Sequence, residues 1–333
     1  PGTDLPWHQR RGKSYSTLFD DHCRHEGEEV AAVAAENPVQ AVDAIRALKV
    51  EYEVLPFVVD EETALDPSAP PVHEGGNSLG APQEGGRGDV DTGFAEADLI
   101  VERVYRTPCQ IQAPMEPHGS VAKWDGNRLT VWDSTQGVYG IQQTLAQVLG
   151  LPIANVRVIG HYMGGGFGSK LETGKYTAIA ALLSRMTAQP VRIFLPREDC
   201  FRVTGNRPGN TMSVKIGAKS DGTLTAIDYT SLGSGGAYPS GAATSTMATY
   251  LYKCPNVRTK DTSVMINAGR ARPMRAPGFP QCAWALEQAV DELAEKLEID
   301  PVELRLRNHA EVAQIENGIP FTSNQLEACL RKG

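Results

Sequence analysis

Three consecutive glycines stand between a β-type run and a helical pattern, at Gly164, Gly165 and Gly166 within residues 156–170. Because glycine has no Cβ atom, these residues can adopt positive φ and let a ring or an anion approach the main chain closely. The helix predicted over 172–188 would direct its positive N-terminal end to the same place. The pattern predicts a site for a phosphate-bearing cofactor. A tight strand-to-helix turn without a ligand is the alternative.

The familiar phosphate-binding motifs do not fit this loop. No G-x-G-x-x-G register covers residues 164–169, and Ser169 occupies the position where a P-loop requires glycine before its lysine. A nucleotide-phosphate enzyme built on one of these motifs is therefore disfavoured.

A second segment, residues 267–281, combines glycine and proline with Arg270, Arg272 and Arg275. Arginine presents its donors in a planar fork that matches phosphate or oxo oxygens, and a rigid backbone would hold that fork in place. The segment predicts an anion clamp. The alternative is a basic loop on the surface.

A third polar turn covers residues 134–137, between a predicted strand and a predicted helix. Its Gln136 side chain can both donate and accept hydrogen bonds. Alone, this turn does not define a site.

Composition limits the classes of function that remain. The chain has 333 residues, 41% of them hydrophobic and 22% charged, which predicts a globular protein of about two domains. Its net charge of −8 argues against a nucleic-acid partner. No apolar run approaches the ~20 residues of a membrane span, and residues 1–7 do not form a signal peptide. We therefore expect a cytoplasmic location.

The cysteines are scattered, without the short spacing that zinc or iron–sulfur ligands require. They are Cys23, Cys109, Cys200, Cys254, Cys282 and Cys329. The sequence therefore predicts reduced thiols and no metal cluster held by this chain alone.

Hydrophobic periodicity predicts the elements that carry the three turns. An opening β-α-β unit would comprise a buried strand at 30–35, a helix at 38–50 and a strand at 50–59. Residues 66–89, rich in proline, glycine and acidic residues, are predicted to form an extended surface linker with little to bury.

A larger mixed α+β unit is predicted from residue 91 onward. Asp221 and Gly222 mark a hairpin turn, and Asp300, Pro301 and Glu303 mark a helix start. Its predicted strands are 99–106, 120–124, 129–132, 211–217 and 223–229, and its predicted helices include 141–149 and 286–297.

Taken together, the three turns resemble the molybdenum-binding large subunit of the xanthine dehydrogenase and aldehyde oxidoreductase family in order and spacing. The segments concerned are Ser134–Gln136, Gly164–Gly168 and Met274–Gly278, with further likeness in Ala113–His118, Pro196–Asp199 and Asp300–Asn308. The likeness extends over about residues 20–330. It implies an α+β chain in which residues 1–67 end an α/β hammerhead domain, 68–90 form a linker and 91–333 form the first molybdenum-cofactor-binding domain.

The resemblance also implies a cofactor and the residues that hold it. Members of this family bind molybdenum through molybdopterin, often as its cytosine dinucleotide. The implied cofactor-binding residues are Gln136, Gly165, Gly166, Phe167, Gly168, Arg275 and Ala276. Among them, Gln136, Phe167 and Arg275 would lie next to molybdenum without ligating it directly.

Two positions depart from the purine-oxidising members. Leu171 and Pro277 occupy places where those members carry glutamate and phenylalanine, in the substrate pocket. The resemblance therefore implies oxidation of an aldehyde or an N-heteroaromatic compound, with water as the oxygen source, rather than of xanthine.

The resemblance implies a glutamate near the end of the large subunit as the catalytic base, and we expect that glutamate to lie outside this chain. We therefore expect activity only with partner chains. These are a second half of the molybdenum subunit or a missing C-terminal portion, an iron–sulfur subunit with [2Fe–2S] centres, and a FAD subunit. A natural split subunit and a fragment both remain open, and a non-catalytic molybdopterin-carrying or maturation protein is the alternative function.

Overall fold

The computed structural model describes residues 4–10, 12–314 and 318–333. The strands are β1 (Pro6–Arg10), β2 (Lys13–Thr17), β3 (Gln83–Arg87), β4 (Leu99–Thr107), β5 (Gly119–Asp125), β6 (Arg128–Asp133), β7 (Val156–Ile159), β8 (Val191–Phe194), β9 (Asn210–Ala218), β10 (Leu224–Ser234) and β11 (Asn256–Val264). The α-helices are α1 (Pro38–Ala47), α2 (Glu61–Ala64), α3 (Val90–Ala95), α4 (Val138–Val148), α5 (Lys175–Thr187), α6 (Arg197–Val203), α7 (Phe279–Leu297), α8 (Pro301–Arg307) and α9 (Leu326–Lys332). Short 3₁₀ helices cover Ile153–Asn155 and Ser245–Thr249.

The described strands form three sheets. A five-stranded sheet has the order β3-β11-β10-β9-β4, a four-stranded sheet has the order β7-β6-β5-β8, and β1 pairs with β2. Strands β10 and β11 run parallel, as do β6 and β7, and the other pairs are antiparallel. The predicted mixture of helices and sheets is therefore confirmed.

Helix α7 covers the five-stranded sheet and builds the largest core. Leu286, Val290 and Leu293 are buried, and they pack with Ile216 and Tyr229 from the sheet. Their spacing of four and three residues places them on one face of the helix, as the sequence predicts.

The four-stranded sheet carries two of the polar turns. Strand β6 leads through residues 134–137 into α4, and β7 leads into the glycine loop, which ends where α5 begins at Lys175. Ile141 and Leu145 of α4 are buried in the core of this sheet. Each of these two turns is therefore flanked on both sides by a packed helix or strand.

Local start and turn signals are realised as predicted. Strands β9 and β10 form the expected antiparallel hairpin. Asp300 caps α8 by accepting hydrogen bonds from the backbone N–H groups of Val302 and Glu303, at 2.8 and 3.1 Å.

The predicted strands at 30–35 and 50–59 are wrong. Neither forms a strand, and most of their side chains are exposed. Helix α1 forms between them, but its apolar residues Val39 and Ile45 are also exposed, at 70% and 55%. A strand requires a hydrogen-bonding neighbour, and within the described residues no strand pairs with these two segments.

The segment predicted as a linker packs on the larger unit. Strand β3 pairs with β11 at the edge of the five-stranded sheet, while Val72 and Asn77 are buried. The expectation that it has little to bury is therefore wrong, and the domain limits at 67 and 90 stay predictions. The first predicted domain includes residues 1–3 and 11, which lie outside the described residues, and the third includes residues 315–317, which also lie outside them. The prediction that residues 1–7 are not a signal peptide falls partly on these residues.

Within the described part of the chain, no helix combines the length and apolar character needed to cross a bilayer.

Replacing Leu293 with alanine should lower the free energy of unfolding by about 2–5 kcal/mol, because it removes a fully buried side chain and leaves a cavity. Leu326→Ala, at a position that is 41% exposed, should change it by no more than about 0.5 kcal/mol. Urea unfolding of both variants provides the measurement. Equal losses would contradict the assignment of the core.

Candidate functional site

The glycine loop contains unusual backbone conformations at its centre. Gly165 and Gly168 have φ of 94° and 110°, and Phe167 between them has φ of 53° although it is not glycine. Phe167 is also 50% exposed, while Gly166 and Gly168 are buried. The loop thus presents one aromatic ring outward from a backbone held in a sparsely populated conformation.

The Gln136 side chain binds this loop directly. Its Oε1 accepts hydrogen bonds from the backbone N–H of Gly168 at 2.8 Å and of Lys170 at 3.4 Å. Its own backbone N–H donates to the Lys170 carbonyl at 2.8 Å. Despite these hydrogen bonds, the Gln136 residue taken as a whole is exposed to solvent. Since the oxygen is occupied by two donors, the Nε2 end of the amide is available to donate outward.

Close packing explains why two positions of the loop are glycine. A Cβ atom at Gly166 would overlap the Gln136 amide, and one at Gly168 would overlap the carbonyl of Pro273. Gly165 is less confined, because its Cβ would meet the Phe167 ring at 3.3 Å and Pro114 at 3.4 Å.

The arginine segment joins the same site through its main chain. The Arg275 backbone N–H donates to the Phe167 carbonyl at 2.8 Å. Arg207 donates to the carbonyls of Met274 and Arg275 at 2.8 and 2.5 Å, and Ala276 adopts φ of 58°. The three polar turns predicted from the sequence therefore converge in space.

The three arginines do not act together as an anion clamp, so that prediction is wrong. Arg270 forms an ion pair with Glu172. Arg272, whose side chain is only 7% exposed, donates to the carbonyls of Ser169, Glu172 and Thr173 at 3.2, 3.4 and 3.3 Å. Arg275 is exposed. Of the three, it is the one that is exposed and that contacts the glycine loop through its own backbone N–H.

Glu172 has a structural part in this arrangement. Burial would raise the pKa of Glu172, but the charges of Arg270 and Arg272 hold that pKa below its ordinary value. The carboxylate therefore stays ionised and paired, which makes it unsuited to act as a base.

An ion pair beside the loop, between a buried lysine and a partly exposed glutamate, was not predicted from the sequence. The Lys170 side chain is fully buried, and its Nζ donates to the Glu116 carbonyl at 2.9 Å and lies 3.6 Å from Glu116 Oε2. The Glu116 carboxylate accepts from the Gly164 backbone N–H. Burial lowers the pKa of Lys170, although Glu116 opposes that shift. The likeness of segment 113–118 to the family was the signal that could have found this pair.

Asp133 lies at the end of β6, just before the Gln136 turn. Its Oδ2 accepts from Thr177 at 2.9 Å and from Ser120 at 3.1 Å. Burial raises the pKa of Asp133 to about 6, despite these two donors. The carboxyl links the turn to α5 and the sheet.

The two positions assigned to a substrate pocket line different cavities. Leu171 lines a cavity of about 380 Å³ together with Thr173 and Arg270. Pro277 lines another of about 130 Å³, next to Arg207. The structure does not bring Leu171 and Pro277 into one pocket.

Metal-ligating side chains are not gathered at these turns. Among the described residues, no three His, Cys, Asp or Glu side chains lie close enough together to hold a metal ion. What the site offers is an amide donor at Gln136, an aromatic ring at Phe167 and a cation at Arg275.

Comparison with known proteins identifies relatives of this chain. The sequence model of the family described as the molybdopterin cofactor-binding domain matches residues 72–309. The chain is 35% identical over 314 residues to the aldehyde oxidoreductase molybdenum-binding subunit PaoC of Escherichia coli O157:H7, covering 93% of this chain and 41% of that protein. It is 34% identical to the putative xanthine dehydrogenase molybdenum-binding subunit XdhA of Escherichia coli K12, covering 97% and 44%.

Solved structures agree with this relationship. Quinoline 2-oxidoreductase from Pseudomonas putida 86 superposes with a TM-score of 0.83 at 27% identity, over 93% of this chain and 40% of that one. The chain therefore spans about two-fifths of the length of each of these three relatives.

Replacing Gly166 with alanine should lower the free energy of unfolding by about 1–3 kcal/mol, because the new methyl group overlaps the Gln136 amide. Gly140→Ala is the matched control: a Cβ there meets no atom within 4 Å, and alanine should stabilise α4 by about 0.5–1 kcal/mol. Urea unfolding measures both. If both substitutions change the free energy of unfolding in the same direction, the close packing of Gln136 on the loop is contradicted.

The raised pKa of Asp133 predicts a specific dependence of stability on pH. Between the ordinary value of 3.8 and about 6, the folded chain holds a proton here that the unfolded chain has lost. The stability from this group is complete below pH 3.8 and is lost as pH rises through about 6. Relative to Asp133→Asn, the wild type should lose about 2–3 kcal/mol between pH 4 and 7.

Unfolding curves of the two proteins across this pH range provide the measurement, with Asp125→Asn, at an exposed aspartate of β5, as the control. If the stability difference between wild type and Asp133→Asn is constant with pH, the carboxyl titrates normally and the interpretation is wrong.

Proposed function

This chain belongs to the molybdopterin cofactor-binding domain family found in aldehyde oxidoreductase and xanthine dehydrogenase subunits, and we propose that its three converging turns bind the molybdenum–pterin cofactor of a hydroxylase. The observation that carries the proposal is the contact of all three turns around Phe167. Gln136 bonds to the residue after Phe167 in the chain, and Arg275 bonds to Phe167 itself.

The available groups fit an anionic cofactor that brings its own metal ligands. Gln136 offers a neutral amide donor, Arg275 an exposed guanidinium, and Gly165 and Phe167 a part of the loop that is not buried and that a flat ring can approach. The scattered histidines and cysteines are in keeping with a metal held by its organic group. When bound, that group supplies the redox chemistry, while the protein binds and orients it.

Gln136 has the better-defined role of the two polar side chains. Because its Oε1 is held by Gly168 and Lys170, the amide cannot turn over without leaving two main-chain donors unpaired. Its Nε2 therefore points its protons toward the ligand side at no further cost. A dipole aligned in advance stabilises negative charge on a cofactor oxygen more strongly than a mobile one would.

Arg275 would place a positive charge at the same edge. Its backbone is fixed by hydrogen bonds to the Phe167 carbonyl and from Arg207, so the side chain that carries the guanidinium starts from a fixed position. We assign it to the oxygens of the metal centre or of the cofactor phosphates. Ala276, with φ of 58°, and the loop glycines would supply close main-chain contacts.

The reaction we assign is oxidation of an aldehyde or an N-heteroaromatic compound with water as the oxygen source. Apolar residues at Leu171 and Pro277 support this choice over a purine. The names of two similar proteins, an aldehyde oxidoreductase and a quinoline oxidoreductase, agree with this choice, whereas the name of XdhA indicates a purine, so the choice rests on Leu171 and Pro277. We keep Leu171 and Pro277 as candidate substrate contacts, each on its own cavity wall.

The rest of the machinery would come from other polypeptide segments. Since the chain spans about two-fifths of PaoC and XdhA, we assign the glutamate base to a further portion or to a partner chain. We assign [2Fe–2S] centres and FAD to partner subunits, and a cytosine dinucleotide tail to the pterin. Residues 1–67 would complete a hammerhead domain with segments outside this chain.

Gln136→Glu in the native complex tests the proposal. Glutamate keeps an oxygen for Gly168 and Lys170 but replaces the outward donor with a negative charge. We expect a melting temperature close to wild type, with molybdenum content or turnover reduced at least about tenfold by electrostatic repulsion. Arg275→Gln, as a second arm, should show the same pattern.

Gln143→Glu, at an exposed position on α4, and Arg128→Gln, at an exposed position on β6, are the matched controls. Metal analysis and substrate oxidation by the purified complex give the readouts. Full molybdenum content and turnover in both site variants would overturn the assignment. A wild-type complex that holds molybdenum but oxidises neither substrate class would indicate the non-catalytic carrier instead.

A further inference from the structure

His118 lies directly beneath the glycine loop and is completely buried. Its Nε2 is 3.0 Å from the hydroxyl oxygen of Ser169, which is also fully buried. The Ser169 hydroxyl donates in turn to the Gly166 carbonyl at 2.8 Å, and the Ser169 backbone N–H reaches the same carbonyl at 2.9 Å. A chain of hydrogen bonds thus runs from the histidine to the loop backbone.

The direction of this chain follows from the number of protons available. Ser169 has one hydroxyl proton, and it is used on the Gly166 carbonyl, so the hydroxyl oxygen must accept from His118. The histidine proton therefore resides on Nε2, and Nδ1 carries a lone pair. Nδ1 is buried without a hydrogen-bond partner among the described residues. Burial, followed by the charges of Lys170 and Arg272, lowers the pKa of His118 to about 3, so the ring is neutral.

The Gly166 carbonyl belongs to the peptide that precedes Phe167. A non-glycine residue in the left-handed region costs on the order of 1 kcal/mol and persists only where its surroundings hold it. The peptide that follows Phe167 is held at both of its polar groups: the Phe167 carbonyl accepts from Arg275, and the Gly168 N–H donates to Gln136. The Ser169 hydroxyl supplies the third restraint, on the peptide before the ring.

We infer that His118 is a positioning residue, which acts through Ser169 to hold the Gly166–Phe167 peptide and thereby the orientation of the exposed Phe167 ring. It touches no ligand itself. The inference rests on the proposed function insofar as the ring and loop receive a cofactor, but the restraint on the backbone is a property of this chain alone.

The test compares His118→Gln with His118→Asn in the native complex. A glutamine amide nitrogen can reach the place of Nε2 and donate to Ser169, whereas the shorter asparagine amide corresponds to Nδ1 and cannot. Hydrogen exchange of the Gly166–Lys170 amides is measured in complex purified from molybdate-starved cells, and molybdenum content in complex from replete cells. Thermal melting shows whether each variant is folded.

We expect exchange in His118→Asn to accelerate by about tenfold with a reduced molybdenum content, and His118→Gln to stay within about twofold of wild type. Ser169→Ala, which removes one oxygen atom, should match His118→Asn, and the double variant should be no worse than either. If His118→Asn fails to fold, Ser169→Ala measures the same link.

The inference is overturned if folded Ser169→Ala exchanges like wild type, if His118→Gln behaves like His118→Asn, or if the single effects multiply in the double variant. A wild-type complex that contains no molybdenum would instead overturn the proposed function. In that case the exchange measurements still decide the role of His118.

Discussion

The hydrogen bonds that converge on the main chain around Phe167 are the interaction on which the rest of the site depends. Gln136 holds Gly168, Arg275 holds the Phe167 carbonyl, and Ser169 holds the Gly166 carbonyl. No one of these bonds is strong, since each contributes only about 0.5–1.5 kcal/mol net. Together they keep a strained residue in one conformation, which is the condition for presenting its ring reproducibly.

This arrangement requires the absence of side chains as much as their presence. Gly166 and Gly168 lie where a Cβ atom would overlap Gln136 and Pro273 respectively. The two contacts come from different parts of the chain, one from the turn before α4 and one from the arginine segment. The glycines therefore allow three separate stretches of chain to approach within hydrogen-bonding distance.

Some basic residues near the site are held by protein groups, and another is exposed to solvent. The side chains of Lys170 and Arg272 are buried and matched by a carboxylate or by carbonyl oxygens, while Arg270 is partly exposed and paired with Glu172. A buried cation without such partners would be costly, so Lys170 and Arg272 have little freedom to bind anything else. Arg275 differs from them, because its backbone is held by a hydrogen bond while its side chain is exposed.

Much of the fold and site could be predicted because the signals are local. The β9–β10 hairpin, the apolar face of α7 and the Asp300 cap each follow from residues within a few positions of one another. The glycine loop is equally local, since only glycine suits its tight approach. The family likeness rested on three such local segments, and the comparison with known proteins confirmed it.

Tertiary structure decided what depends on distant partners. The glycine-rich segment 83–87 is a strand because β11 pairs with it, whereas 30–35 and 50–59 are not strands because no described strand pairs with them. Arg270 is paired because Glu172, far away in the sequence, lies beside it. The sequence by itself determined which turns exist and what they could hold. Only the folded chain decided which arginine faces outward and which histidine supports the loop, because hydrogen bonds and ion pairs depend on proximity in space.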